Sequence, residues 1–163
     1  MSALVACFGN VLRGDDGFGA VVAERLLRET LAPEVRVLEV GIGGIHLVQE
    51  LMGGIELLVV IDAVDLGRAP GTIITQVPDV ADVMLLPINE RRDELADMHY
   101  ATPARAMMLA RGLGVLPAAT WLVGVQTTDT DRVGMGLSST TMAAVSPAIE
   151  EVHRLIRAYH PMH

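Results

Sequence analysis

The segment LVACFGNVLRGDDGFG, residues 4–19, joins a short apolar run to a glycine-rich turn. Residues 4–8 are all apolar, which predicts a buried strand. The turn that follows contains two adjacent aspartates, and a helical pattern with an apolar stripe begins at Phe18. This order predicts a strand, a tight turn and a helix, which is the first unit of an α/β fold.

Short apolar runs alternate with amphipathic stretches along the rest of the chain. The predicted strands are residues 4–8, 35–40, 57–61, 72–77 and 121–125, and the predicted helices are 18–31, 45–52, 103–113 and roughly 140–158. We expect Thr102 to be the N-cap of the third helix and Pro147 to kink or divide the last. Residues 79–99 are less regular, and the charged run 90–94 is interpreted as a solvated face, with a partner contact as the alternative.

Strands that are buried on both faces and separated by helices predict a three-layer α/β domain with a mostly parallel sheet. The 163 residues are long enough for one such domain and short for two, so a single domain over residues 1–163 is expected. Ligands of open parallel sheets bind beyond the carboxyl ends of the strands. Asp15 and Asp16 follow the first strand and Asp62 directly follows the third, so we expect carboxylates to meet at this edge.

Composition excludes several classes of function. A formal net charge of −8 with no Lys/Arg stripe argues against nucleic-acid binding. Only 3% of the residues are aromatic, so the chain has few side chains on which nucleic-acid bases could stack. The one cysteine, Cys7, excludes an intramolecular disulfide and is expected to be buried in the first strand. Because the sequence shows no signal-peptide pattern and no apolar run of about 20 residues, we expect a soluble cytoplasmic protein without a membrane span.

The acidic turn has the Gly9-x4-Gly14 spacing of a phosphate-binding loop, but aspartates stand where that loop needs Lys and Ser or Thr. Each carboxylate–phosphate contact at 4 Å would cost roughly 4 kcal/mol at an effective dielectric of 20. The G-x-S-x-G motif of serine hydrolases and the D-T-G signature of paired-aspartate peptidases are also absent. Carboxylates with an imidazole instead suit a divalent transition metal. Among the five histidines, His99 alone lies just before a capped helix at this edge, and the residues alone leave its role as a ligand open.

The sequence resembles the hydrogenase maturation proteases nearly from end to end. GNVLRGDDGFG (residues 9–19) is similar to the family's G-N-x-L-x-x-D-[DE]-x-x-G turn, and VVIDAVD followed by APGT is similar to its second aspartate motif. DMH before a helix resembles the family's histidine loop, although the family often continues His-x-L-G-L where this chain has HYATP. EVGIGGIH also replaces a more usual D-G-G-T-x-G loop.

The resemblance implies a twisted five-stranded sheet between helical layers and a peptidase that trims the C-terminal tail of a nickel–iron hydrogenase large-subunit precursor. It makes Asp16, Asp62 and His99 the catalytic, metal-contacting residues. The nickel would arrive with the precursor, and no tightly bound cofactor is expected at rest. The supporting residues of the turn would be Gly9, Asn10, Asp15 and Gly19. Asp15 is expected to support the turn or to cap the following helix, with direct metal contact as the alternative.

Two other functions fit the same features. A non-catalytic module that binds or checks the nickel-loaded subunit would need the same three metal-contacting residues. An enzyme of this fold that acts on another peptide would keep the acidic sheet edge without a need for nickel.

Overall fold

The computed structural model describes residues 1–41, 44–96, 102–127 and 132–160. The strands are β1 (Ala3–Phe8), β2 (Val35–Gly41), β3 (Leu57–Val64), β4 (Ile73–Gln76) and β5 (Ala119–Gln126). The helices are α1 (Phe18–Leu27), α2 (Ile45–Leu51), α3 (Ile88–Ala96), α4 (Pro103–Gly112), α5 (Ser139–Ala143) and α6 (Val145–Tyr159). Two short 3-10 turns, Gly14–Gly17 and Val83–Leu85, complete the described secondary structure.

The strands form one sheet in the order β2-β1-β3-β5-β4. All neighbouring pairs are parallel except β4 and β5, which confirms the predicted mostly parallel α/β fold. Cys7 pairs with Ile61 in the register of β1 and β3. The turn after Phe8 and the residue Asp62 therefore lie side by side at the carboxyl edge of the sheet.

Apolar side chains cover both faces of the sheet. Alternate residues of β1 and β3 pack with α1 and α6 on one face, and the residues between them pack with α2 and α4 on the other. Because Leu58 and Val60 belong to the second set, the alternation directs Asp62 toward the α2–α4 face. Cys7 is fully buried, as predicted, and burial raises the pKa of its thiol.

Two helices differ most from the sequence prediction. Helix α1 ends at Leu27 rather than at residue 31, because Arg28 and Glu29 donate to carbonyls only three residues back and so tighten the last turn. The last helix is divided at Ala144 instead of at Pro147. Pro147 lies in the first turn of α6, where a helix needs no backbone N–H donor, so it neither kinks nor breaks the helix.

The segment expected to be irregular is more ordered than its sequence suggests. Asp82 caps the turn Val83–Leu85 by accepting from the N–H of Met84 at 3.0 Å, and the charged run lies within α3. The Arg91 guanidinium donates to the carbonyls of Met84 at 2.8 Å and Leu86 at 3.0 Å. The charged run is therefore not only a solvated face, because Arg91 stabilises the segment that precedes it.

Two glycines allow the chain to turn sharply between β1 and α1. A Cβ on Gly9, whose φ is +138°, would lie 2.0 Å from the carbonyl oxygen of Asp16. A Cβ on Gly19 would lie 2.0 Å from the carbonyl oxygen of Phe8. Both contacts are with backbone atoms, which cannot move aside as a flexible side chain can, so only glycine fits at either position.

We therefore expect Gly19→Ala to lower the free energy of unfolding by about 3 kcal/mol or more, because the new methyl group overlaps the end of β1. Gly114→Ala is the matched control: its φ is +71° and its Cβ would meet open space, so only backbone strain of about 1 kcal/mol is expected. Urea denaturation measures both. Equal losses in the two variants would show that the close approach at Gly19 is not the dominant constraint.

Candidate active site

Asp16 lies on the 3-10 turn Gly14–Gly17, beyond the carboxyl end of β1. Its Oδ2 accepts a hydrogen bond from the backbone N–H of Asn10 at 3.0 Å. The side-chain oxygen of Asn10 accepts in turn from the N–H of Leu12 at 3.0 Å. Asn10 thus shapes the turn with its side chain and holds the Asp16 carboxylate with its backbone.

Asp62 lies near the end of β3 and is partly buried. Burial, and to a smaller extent the negative charge of Asp16, raise the pKa of its carboxyl group to about 7. A hydrogen bond from the backbone N–H of Ala63 opposes this effect without cancelling it. The structure therefore brings Asp16 and Asp62 close enough for their charges to interact, although they are far apart in sequence.

His99 lies outside the described residues, so its place beside the two carboxylates stays a prediction. The helix after it starts as predicted, with the Thr102 hydroxyl accepting from the N–H of Arg105 at 3.3 Å. In the described ranges, no group of three or more His, Cys, Asp or Glu side chains could hold a metal ion. Of the other histidines, His153 contacts Glu29 at 2.7 Å and His160 contacts Glu34 at 3.2 Å.

Asp15 is buried and its carboxylate is fully engaged inside the protein. Oδ1 accepts from the N–H of Ser138 at 2.7 Å, and Oδ2 accepts from the hydroxyls of Ser138 and Thr141, each at 2.9 Å. The carboxylate therefore lies at the N-terminus of α5 and not of α1, whose N-terminus has no side-chain cap. These hydrogen bonds connect the turn to α5 rather than to the helix that follows it in the sequence.

Gln126, which the sequence analysis did not identify, anchors the loop that follows β3. It is 1% exposed, and its carboxamide uses its full hydrogen-bonding capacity. Its oxygen accepts from the N–H groups of Leu66 at 2.8 Å and Arg68 at 3.2 Å, and its nitrogen donates to Asp65 at 3.0 Å and to the Thr127 carbonyl at 2.9 Å. The end of β3 is thereby fixed against β5. A buried glutamine at a strand end is the only local signal for this role.

Comparison with known proteins decides the family. The sequence profile of the HycI family, described as hydrogenase maturation protease, matches residues 20–155. This chain belongs to the hydrogenase maturation protease family. It is similar to the hydrogenase expression/formation protein HupD of Rhodobacter capsulatus, with 31% identity over 157 residues, which cover 96% of this chain and 71% of HupD.

The structural comparison agrees with the family assignment. The hydrogenase maturating endopeptidase HybD from E. coli superimposes with a TM-score of 0.75 and 28% identity, over 98% of this chain and 94% of HybD. The hydrogenase 2 maturation peptidase from a Thaumarchaeota archaeon gives a TM-score of 0.67 and 28% identity, over 96% of this chain and 98% of that one. The resemblance seen in the sequence is confirmed, and so is the prediction that this family member is a peptidase.

No helix in the described parts of this maturation protease combines the length and the apolar character that crossing a bilayer requires.

The different environments of the two adjacent aspartates predict different effects of mutation. Asp15→Ala should lower the free energy of unfolding by about 2–4 kcal/mol, because the buried Thr141 hydroxyl and the partly buried hydroxyl and backbone N–H of Ser138 lose their acceptor. Asp16→Ala removes one acceptor and a like charge, so its cost should be about 1 kcal/mol or less. Urea denaturation of both variants tests this, and a larger loss in Asp16→Ala would reverse the assignment.

The raised pKa of Asp62 predicts that this residue destabilises the protein at neutral and alkaline pH. Below the ordinary pKa of 3.8 the group is protonated whether folded or not, and above about 7 it is ionised in both states, so stability is lost as pH rises between them. Asp62→Asn should unfold with about 2–4 kcal/mol more free energy than the wild type at pH 8, and with nearly the same free energy at pH 4.

Thermal or urea denaturation at the two pH values measures this difference, and Asp93→Asn on the exposed part of α3 is the control. If Asp62→Asn increased the free energy of unfolding equally at both pH values, folding would not raise the pKa of Asp62.

Proposed function

We propose that this hydrogenase maturation protease removes the C-terminal tail from the nickel-loaded large-subunit precursor of a nickel–iron hydrogenase. The observation that carries the proposal is the pair of carboxylates at one sheet edge, Asp16 and Asp62, one of which keeps a pKa of about 7. Burial and mutual repulsion make this pair an unfavourable arrangement by itself, and such groups are typical of functional sites.

Nickel belongs to the substrate in this proposal, and no tightly bound cofactor is needed at rest. Asp16, Asp62 and His99 would touch the nickel that the precursor carries, supplying two carboxylate oxygens and one imidazole nitrogen. Three ligands from the protease leave coordination positions for groups of the precursor. Because a carboxyl group with a pKa of about 7 is partly protonated at neutral pH, engagement of the metal displaces a proton. We therefore expect the pair to bind nickel that the precursor already holds in position in preference to nickel that is free in solution.

Water is the nucleophile in this mechanism. Cys7 is fully buried within β1 and its thiol pKa is raised, so it is neither accessible nor ionised for attack. The water is activated by the nickel or by one of the aspartates as a general base, for which a pKa close to the working pH is suitable. We infer that the reaction takes place in the cytoplasm, and a chain with a single buried cysteine suits a reducing compartment.

The test uses purified protease and the matched precursor, prepared with and without nickel. The wild type should release the tail from the loaded form only, because the metal positions the scissile bond. Asp16→Ala and Asp62→Ala should each lose at least about 100-fold in rate, the size of a positioning defect. Asp16→Glu keeps a carboxylate and should retain activity, and His99→Ala should lose less if the precursor already holds the metal firmly. Mass analysis of the precursor follows the tail.

Asp93→Ala, an exposed carboxylate on α3, is the matched control and should cleave like the wild type. Equal cleavage of loaded and nickel-free precursor would exclude recognition through nickel. Binding of the loaded precursor by folded wild type without any cleavage would favour the non-catalytic binding module.

A further inference from the structure

A groove of about 370 Å³ lies next to the acidic turn and plays no part in the mechanism described so far. Gly14 and Gly17 form one wall, so the groove shares the turn that carries Asp16 and lies on the α1 side of that turn. Glu24 on α1 and Glu39 on β2 also line it, and apolar side chains supply most of the remaining surface. Its size is within the range of about 300–1,000 Å³ that is usual for ligand-binding clefts.

Large apolar side chains that are exposed to solvent lie along the groove or beside it, and two of them, Val11 and Met135, line it. They come from two segments and are Val11, Leu12, Val133 and Met135. Val133 is 90% exposed and Met135 is 77% exposed, so neither is part of the core. Two backbone hydrogen bonds, both 2.9 Å, join the segments: Gly14 N–H donates to Gly134, and Gly134 N–H donates to Leu12. These four side chains, which we call the apolar rim, are thus carried by two segments that backbone hydrogen bonds hold together.

The charge of the groove indicates which kind of peptide fits it. Among the described residues, Glu24 and Glu39 are the charged members of its lining, and the Arg132 guanidinium lies at its edge, where it donates to the Gly136 carbonyl at 3.3 Å. Glu24 forms an ion pair with Arg28, whereas Glu39 forms no hydrogen bond or ion pair within the described parts of the chain. An unneutralised carboxylate beside an apolar rim complements a segment that carries an apolar and a basic side chain close together.

We propose that this groove docks a segment of the large-subunit precursor near the scissile bond, with an apolar side chain on the rim and a basic side chain facing Glu39. The inference rests on the proposed function and adds the chemistry by which the peptide is recognised. A second copy of this chain is a poorer occupant, because each copy has a net charge of −8 and a symmetric contact would bring the two Glu39 carboxylates together.

The test measures steady-state cleavage of the nickel-loaded precursor by groove variants. Met135→Ser and Glu39→Arg should each raise KM about fivefold or more and leave kcat within about twofold, because they weaken docking without touching the carboxylate pair. Glu39→Gln should raise KM less and should reduce its dependence on salt concentration. Met52→Ser and Glu150→Arg are matched controls: Met52 is 67% exposed on the opposite face of the sheet, and Glu150 is exposed on α6.

The outcomes separate the two proposals. If the wild type cleaves but Met135→Ser and Glu39→Arg keep the KM of the controls, the docking inference is overturned and the proposed function stands. If the wild type does not cleave, the proposed function fails, and calorimetric binding of the loaded precursor then tests the groove alone. Weaker binding by both groove variants supports it, and unchanged binding overturns it. A wild-type dimer that Met135→Ser dissociates in sedimentation would identify the rim as a self-interface and also overturn the inference.

Discussion

The approach of Gly19 to the carbonyl oxygen of Phe8 is the constraint on which the site depends. Because the first turn of α1 lies directly against the last residue of β1, the chain between them has to project beyond the edge of the sheet. The second close approach, of Gly9 to the backbone of Asp16, folds this projection back on itself. Together they place the Asp16 carboxylate where its charge acts on Asp62.

The adjacent aspartates of the turn show how one short segment combines stability with strain. Asp15 has three hydrogen-bond donors within the protein, which offset the burial of its charge. Asp16 has one backbone donor, and its charge adds to the burial that already disfavours ionised Asp62. The well-satisfied carboxylate fixes the turn to α5, and this rigid attachment allows the second one to remain in an unfavourable electrostatic position. Such strain in a folded protein is common where function requires it.

The sequence was sufficient to predict features that depend on local pattern. The parallel strands appear in the sequence as apolar runs, and these runs locate the carboxyl ends of β1 and β3. The meeting of Asp16 and Asp62 at this edge was therefore predictable. The Asp15 contact with Ser138 spans 123 residues, and the Gln126 contacts reach the loop near Leu66, about 60 residues away, so neither leaves a periodic signal. Likewise, nothing local indicated that Arg91 would bind the carbonyls of the preceding segment.

The apolar rim escaped prediction for a related reason. Val11 and Leu12 read as ordinary turn residues, and Val133 and Met135 belong to a glycine-rich segment without strand or helix periodicity. Backbone hydrogen bonds through Gly134 bring the two pairs together. His99 was accessible to pattern analysis because it immediately precedes a capped helix, but it lies outside the described residues and stays a prediction.

The two proposals together give a physical reason for selective processing. In these proposals, a carboxylate pair in which Asp62 has a raised pKa would hold nickel weakly in competition with protons, and the groove would hold a peptide weakly in competition with water. Because Gly14–Gly17 carries Asp16 on one side and forms a groove wall on the other, both contacts are attached to one rigid turn. Once either contact is made, the other becomes intramolecular, so the affinities combine far more effectively than for separate ligands. Free nickel or an unloaded tail alone would make only one contact, and only the loaded precursor would satisfy both.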